Sequence, residues 1–132
     1  MDVAIQYKGK YKGYDVYESP ECHGFMSTII KKKEGKRVIL YNGEICNDFL
    51  SEEFNAMIEH EIGHIVLKHS PSNINVMYES EADLYSAKEV GVDVIIQTLI
   101  RAVDIVNKLN DVKAKNQLIQ RIKILEEYKS NC

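Results

Sequence analysis

Two histidines and a glutamate carry the most readable chemistry in this chain. His60-Glu61-Ile62-Gly63-His64 reads H-E-x-x-H. In a helix, residues four apart stack on one face about one turn from each other. Two imidazoles so placed can share one zinc ion at bonds of roughly 2.0–2.1 Å. Glu61 then lies beside the ion, where it can take a proton from a bound water. Such a centre needs one more protein ligand and a position left for water.

The candidates downstream are His69, Glu79, Glu81 and Asp83. A helix starting at Ser51 is expected to run to about His69, where Ser70-Pro71 stops it. The next is expected to start near Ile74. His64 and Glu79 then each lie about five residues, or ~7.5 Å, from the connecting loop. If the two helices pack antiparallel, Glu79 comes level with His64, which makes Glu79 the expected third ligand. Glu81 is ~200° around the helix from Glu79, on a face shared with Met77 and Lys88 that should be exposed. Asp83, one turn beyond Glu79, is placed to hold a ring N–H of a ligand histidine. His69 is rotated by ~140° from His64; it is expected to serve the negative end of the helix dipole and not the ion.

The elements that must position these residues follow from the pattern around them. Phe54, Ile58, Ile62 and Ile65 form one apolar face of the motif helix. Ala56, Gly63 and Leu67 leave little polar surface elsewhere, so this helix belongs in the middle of the domain. Ser51 is its expected N-cap, with Glu52 and Glu53 suited to the positive end of the dipole. Asn73 or Asn75 is expected to cap the second helix, which ends at Gly91. Asp93 and Asp111 are expected to cap a third and a fourth. Upstream, residues 2–41 read as short strands: Val3 to Tyr7, Tyr11 to Tyr17, Phe25 to Ile30 and Arg37 to Tyr41. Lys33-Glu34-Gly35-Lys36 is the expected hairpin turn between the last two, and Lys31-Lys32-Lys33 a solvated turn. Strands first and helices after give an α+β fold, a small mostly antiparallel sheet followed by four helices.

H-E-x-x-H followed by Glu79-Ser80-Glu81-Ala82-Asp83, an E-x-x-x-D pattern, resembles the gluzincin metallopeptidases, of which thermolysin is the familiar member. The likeness is closer to the soluble peptidase domain shared by the HtpX and CAAX-prenyl proteases and to the minigluzincins. It rests on Val38-Ile39-Leu40-Tyr41-Asn42, on Ser51 to His64, and on Glu79 to Asp83, roughly residues 37–91. ImmA/IrrE-type proteins are similar over the same motifs. The resemblance implies one zincin-like metallopeptidase domain over residues 1–132 with the active-site helix central. It implies peptide-bond hydrolysis, with zinc on His60, His64 and Glu79, Glu61 as the base and Asp83 supporting a ligand. It leaves open a regulatory protein that binds or cleaves a repressor, or a silent zinc-stabilised interaction module; the intact Glu61 disfavours the module. The H-E-x-x-H-x-x-G-x-x-H arrangement of the metzincins is absent. The arginine or histidine with which membrane relatives support the transition state has no counterpart assignable from sequence.

Composition narrows the setting. The chain has 132 residues and a formal net charge of −3. No basic stripe interleaved with aromatics points to nucleic acid. Cys22, Cys46 and Cys132 form no C-x-x-C pair, which fits a reducing compartment better than a disulfide framework. A thiolate at Cys22-His23 would be able to cap the zinc, but a partly buried, inert Cys22 is the expectation. Tyr78 and Tyr85 lie ~100–120° off the face of Glu79. The chain shows no signal-peptide pattern, and Asp93, Arg101 and Asp104 interrupt its most apolar region. The expected partner is a peptide or protein substrate, with no membrane or nucleic-acid partner, and the expected location is the cytoplasm.

Overall fold

The computed structural model describes residues 5–22, 24–31, 35–70 and 75–131. Its order of elements is β1 (Gln6–Tyr11), β2 (Tyr14–Glu18), β3 (Met26–Lys31), β4 (Lys36–Tyr41), α1 (Gly43–Cys46), α2 (Ser51–Val66), α3 (Val76–Val90), α4 (Val92–Lys108) and α5 (Val112–Ser130). The fold is α+β. The four strands form one sheet in the order β1-β2-β4-β3, antiparallel except for the parallel pair β2–β4.

The first two strands differ from the expected division. Lys12 and Gly13 have φ of 50° and 87°, and Tyr11 pairs with Tyr14 across them. Two successive positive φ values make the tight two-residue turn whose twist matches paired strands. The run from Tyr11 to Tyr17 is therefore a hairpin corner and a strand, not one strand. Val3 lies outside the described residues. So do residues 32–34 of the expected β3–β4 turn, although the strands on either side pair antiparallel from Lys31↔Lys36 to Met26↔Tyr41.

α2 lies between two apolar cores. Ile58 and Ile62 pack with Val16 and Ile39 of the sheet, supported by Phe54. On the other side, Ala56 joins Ala87, Ile95, Leu99, Ala102, Val106, Leu118 and Leu125 from the later helices. Burying a side chain such as Ile39 or Ile62 contributes about 1.5–3 kcal/mol. Small residues bring α3 close to α2. A Cβ on Gly63 would lie 3.0 Å from Tyr85 Cβ and 3.2 Å from Ala82 Cα, and Ser86 Oγ donates to the Ala56 carbonyl at 2.7 Å.

Several helix ends correct the sequence reading. α2 is capped at Leu50, not Ser51: the Glu53 carboxylate accepts the Leu50 N–H at 2.8 Å. Glu53 is fully buried and also binds Arg101 Nε at 2.6 Å and Gln97 Nε2 at 2.8 Å, so it ties α2 to α4 as well. α2 ends at Val66, earlier than expected, because Lys68 (φ 62°) turns the chain and the His69 N–H reaches back to the His64 carbonyl at 2.9 Å. Pro71 and Asn73 lie outside the described residues; Asn75 caps α3, accepting from Tyr78 N–H at 2.9 Å. Gly91 (φ 98°) both ends α3 and starts α4, so Asp93 lies inside the first turn of α4 instead of capping it. Asp111 caps α5 through the Ala114 N–H at 3.0 Å. Beyond the four expected helices, the short α1 is nucleated by Asn42 Oδ1, which accepts from Glu44 and Ile45 N–H at 3.1 and 3.3 Å.

The hairpin tip closes against the back of α2. Glu59, 1% exposed, accepts from Tyr11 Oη at 2.8 Å and pairs with Lys12 Nζ at 2.6 Å. Lys12 also reaches Glu89 of α3 at 3.2 Å. Among the described residues, no helix is long and apolar enough to cross a membrane.

Candidate metal centre

The α2–α3 crossing brings three ligand atoms to one point. His64 Nε2 lies 3.1 Å from His60 Nε2 and 2.7 Å from Glu79 Oε1, and His60 Nε2 lies 3.2 Å from that same oxygen. A four-coordinate ion with bonds of 2.0–2.1 Å holds its ligands about 3.3 Å apart, so the spacing and donor types suit a metal ion. His64 stands closer to the end of α2 than expected, and Glu79 closer to the start of α3. The two offsets shrink together, which keeps the residues level.

The far sides of both rings are engaged, which leaves the Nε2 atoms facing the point where an ion would sit. His60 Nδ1 meets Asp83 Oδ1 at 2.8 Å. A ring N–H held by a carboxylate fixes the tautomer and orientation of a metal-binding imidazole. Asp83 is fully buried. Arg121 of α5 grips it from the other side, with Nε 2.9 Å from Oδ2 and Nη2 2.7 Å from Oδ1. Its Nη1 also donates to Glu79 Oε2 at 3.2 Å. One guanidinium thus orients both Glu79 and the carboxylate behind His60, a fork geometry that lysine cannot reproduce.

Sequence reasoning missed Arg121. Its signal lies in α5, where Leu118, Ile122 and Leu125 point inward: Arg121 occupies the same stripe, and a cation within an apolar stripe asks for a buried anion. His69 also needs correction. It is buried and does not serve as a surface partner of the helix dipole. Its Nδ1 lies 2.9 Å from His64 Nδ1, and its Nε2 lies 3.0 Å from Glu81 Oε1. The early turn at Lys68 folds it back beside His64. Glu81 points away from the three-ligand cluster, as its place on α3 requires.

Burial and charge divide the titrating groups. Burial works against a charged His60, but Asp83 and Glu79 outweigh it and carry the imidazole up to about 10. His64 is pushed down by burial, with Glu79 opposing. Glu79 and Asp83 are held well below the ordinary carboxylate range despite burial. His60 acts most strongly on Glu79, and Arg121 on Asp83. Glu61 is pushed up to about 8 by burial, with Glu79 adding to the rise and His60, Arg121 and Arg37 resisting it. Its Oε2 lies 3.8 Å from His60 Nε2.

A cavity of about 350 Å³ opens beside this centre. Its lining joins polar His60, Glu61, Glu79 and Arg121 to apolar Met57, Leu99, Ala102, Val106 and Leu118, and includes Gly24, Phe25 and Met26. Cys22 is buried with its thiol 3.5 Å from the Leu40 carbonyl, outside the ligand cluster. His23 lies outside the described residues. Tyr78 stacks on His69 with ring centroids 4.1 Å apart, and Tyr85 packs on Gly63.

Comparison with curated proteins and with solved structures finds no match. Against protein families, residues 2–106 match the model of peptidase family M48, a span that takes in the sheet, His60, His64, Glu79 and Asp83. With the two histidines and glutamate of α2 and α3 poised around one point, this is the setting of a metal-dependent peptidase, and the chain belongs to peptidase family M48.

Proposed function

We propose that this protein hydrolyses peptide bonds with zinc held by His60 Nε2, His64 Nε2 and Glu79 Oε1 and with Glu61 as the proton-accepting base. The observation that carries this reading is the convergence of the three ligand atoms with the Glu61 carboxylate beside them. When bound, zinc supplies Lewis acidity toward the scissile carbonyl and lowers the pKa of a water molecule. Glu61 takes a proton at its carboxylate and returns it to the leaving amine. Its buried setting favours both halves of that exchange, because a carboxyl raised toward neutrality accepts and releases a proton readily. Asp83 keeps His60 turned toward the ion, and Arg121 keeps Asp83 and Glu79 from repelling one another.

The substrate lies extended along β3. That strand is an edge of the sheet, so its outer backbone groups are free to pair with a peptide. Gly24 to Met26, at its start, line the cavity, and a peptide passing there directs one side chain toward its apolar lining. Large apolar residues beside the cleaved bond suit that lining. The sheet and helices act as one domain in this reading, since α2 contributes to both cores. The buried thiols of Cys22 and Cys46 suit a reducing compartment such as the cytoplasm.

Glu61→Gln tests the assignment. The variant is expected to fold and keep zinc while peptide cleavage, read by mass spectrometry on a peptide library, falls to background. Cleavage at the wild-type rate would refute Glu61 as the base. Cleavage by wild type that survives zinc removal would refute the metal.

A further inference from the structure

We infer that His69 is a positioning residue for His64, a neutral acceptor that fixes the tautomer of that ligand and is itself oriented by Glu81. The inference rests on the zinc reading above, because it takes His64 Nε2 as a ligand atom. An imidazole that binds a metal through Nε2 carries its proton on Nδ1. The atom facing His64 Nδ1 is His69 Nδ1, 2.9 Å away. It must therefore present a lone pair, and His69 must carry its own proton on Nε2. That nitrogen lies 3.0 Å from Glu81 Oε1, a carboxylate that can only accept while ionised. Every proton along His64, His69 and Glu81 thus has one place.

Neighbouring contacts hold His69 in this position. Its ring stacks on Tyr78 at 4.1 Å with planes 15° apart. Its backbone N–H binds the His64 carbonyl at 2.9 Å, and its own carbonyl accepts from Arg37 Nη1 at 3.0 Å. Arg37 belongs to β4, so the sheet also fixes where the chain turns back after α2. A histidine that only filled space would need none of this alignment.

The test compares His69→Asn, His69→Leu and Glu81→Gln with wild type in the full chain. Each is titrated with zinc against a chromogenic chelator. An asparagine amide oxygen can occupy the place of Nδ1 and accept from His64, whereas leucine fills the space and accepts nothing. Positioning predicts that His69→Leu loses about 10–100-fold in zinc affinity, that His69→Asn stays within a few-fold of wild type, and that Glu81→Gln falls between wild type and leucine. A purely packing role predicts the reverse order for leucine and asparagine, and that order would overturn the inference. Long-range proton–nitrogen spectra of the zinc-loaded wild type give a second reading that no variant can confuse by misfolding. They should show His64 protonated on Nδ1 and His69 on Nε2; a proton on His69 Nδ1 would overturn the inference while leaving the zinc site intact. Wild type that takes up no zinc would overturn the underlying reading instead.

Discussion

The two histidines of the centre sit four residues apart on one helix, yet their far sides are held by different means. His60 leans on a fully buried carboxylate, Asp83, clamped by Arg121 from α5. His64 leans on another imidazole, His69, whose outer partner Glu81 is 48% exposed. The first arrangement is charged, desolvated and braced by the helical core. The second sets one imidazole against another and reaches solvent within one residue. Charge close behind a ligand raises its basicity, and low dielectric magnifies that effect. With zinc bound as proposed, His60 should be the strongly held ligand and His64 the adjustable one.

Single substitutions should grade that contrast, with zinc affinity by chelator competition as the measure. Glu79→Ala removes a ligand atom common to both sides and is expected to exceed the roughly 10–100-fold typical of an outer partner. Asp83→Ala is expected to fall within that range. It also leaves the buried Arg121 with Glu79 as its remaining carboxylate, so the variant should lose stability as well, up to about 3–5 kcal/mol. Glu81→Ala removes only a half-exposed acceptor and should cost no more than about fivefold, the scale of a surface interaction. A larger loss for Glu81→Ala than for Asp83→Ala would invert the comparison.

A smaller effect sharpens it through pH. In protein stripped of metal by a chelator, His60 rises to about 10 and Glu61 to about 8. Both groups bind protons more tightly folded than unfolded, so the stability they confer is present at lower pH and lost as pH rises through those values. The depressed carboxylates act below about pH 4.5, and His64, pushed down, acts below about 6.5, the unperturbed values. The melting temperature of stripped protein should therefore decline from pH 7 to pH 10. Zinc-loaded protein should show a weaker decline, because a metal ligand has already given up its proton. Equal slopes for the two forms would show that His60 does not hold the proton.

The helical frame and the meeting of His60, His64 and Glu79 at one point were legible because short-range rules govern them. The four-residue spacing, the level match across an antiparallel turn and the half-turn between Glu79 and Glu81 follow from helix geometry. What escaped depends on contacts distant in sequence or on single backbone choices. Arg121 meets Asp83 only after α4 and α5 have folded back. The position of His69 turns on one left-handed residue, Lys68, which no local preference announces. Lys12-Gly13 lacks the asparagine or aspartate that usually marks such a turn, and so the corner was read as strand. Leu50 caps α2 through its backbone, with Glu53 reaching back to it, whereas Ser51 had the favoured side chain in the wrong register.

The grip of the first hairpin on Glu59 also has a history in time. Helices α2 and α3 are neighbours in the chain and can pair through a short closure. The Tyr11 contact to Oε2 of Glu59, the residue just before His60, spans 48 positions. Contacts of that separation carry a larger closure entropy and tend to arrive late. A chain refolding from denaturant must then recruit the hairpin to a helix pair already formed, while a chain growing on the ribosome has the hairpin ready before α2 emerges. Tyr11→Phe should accordingly quicken unfolding and leave the refolding rate nearly unchanged in stopped-flow measurements. An equal change in both rates would place the hairpin in the folding nucleus and make this earlier-made segment the template on which α2 forms.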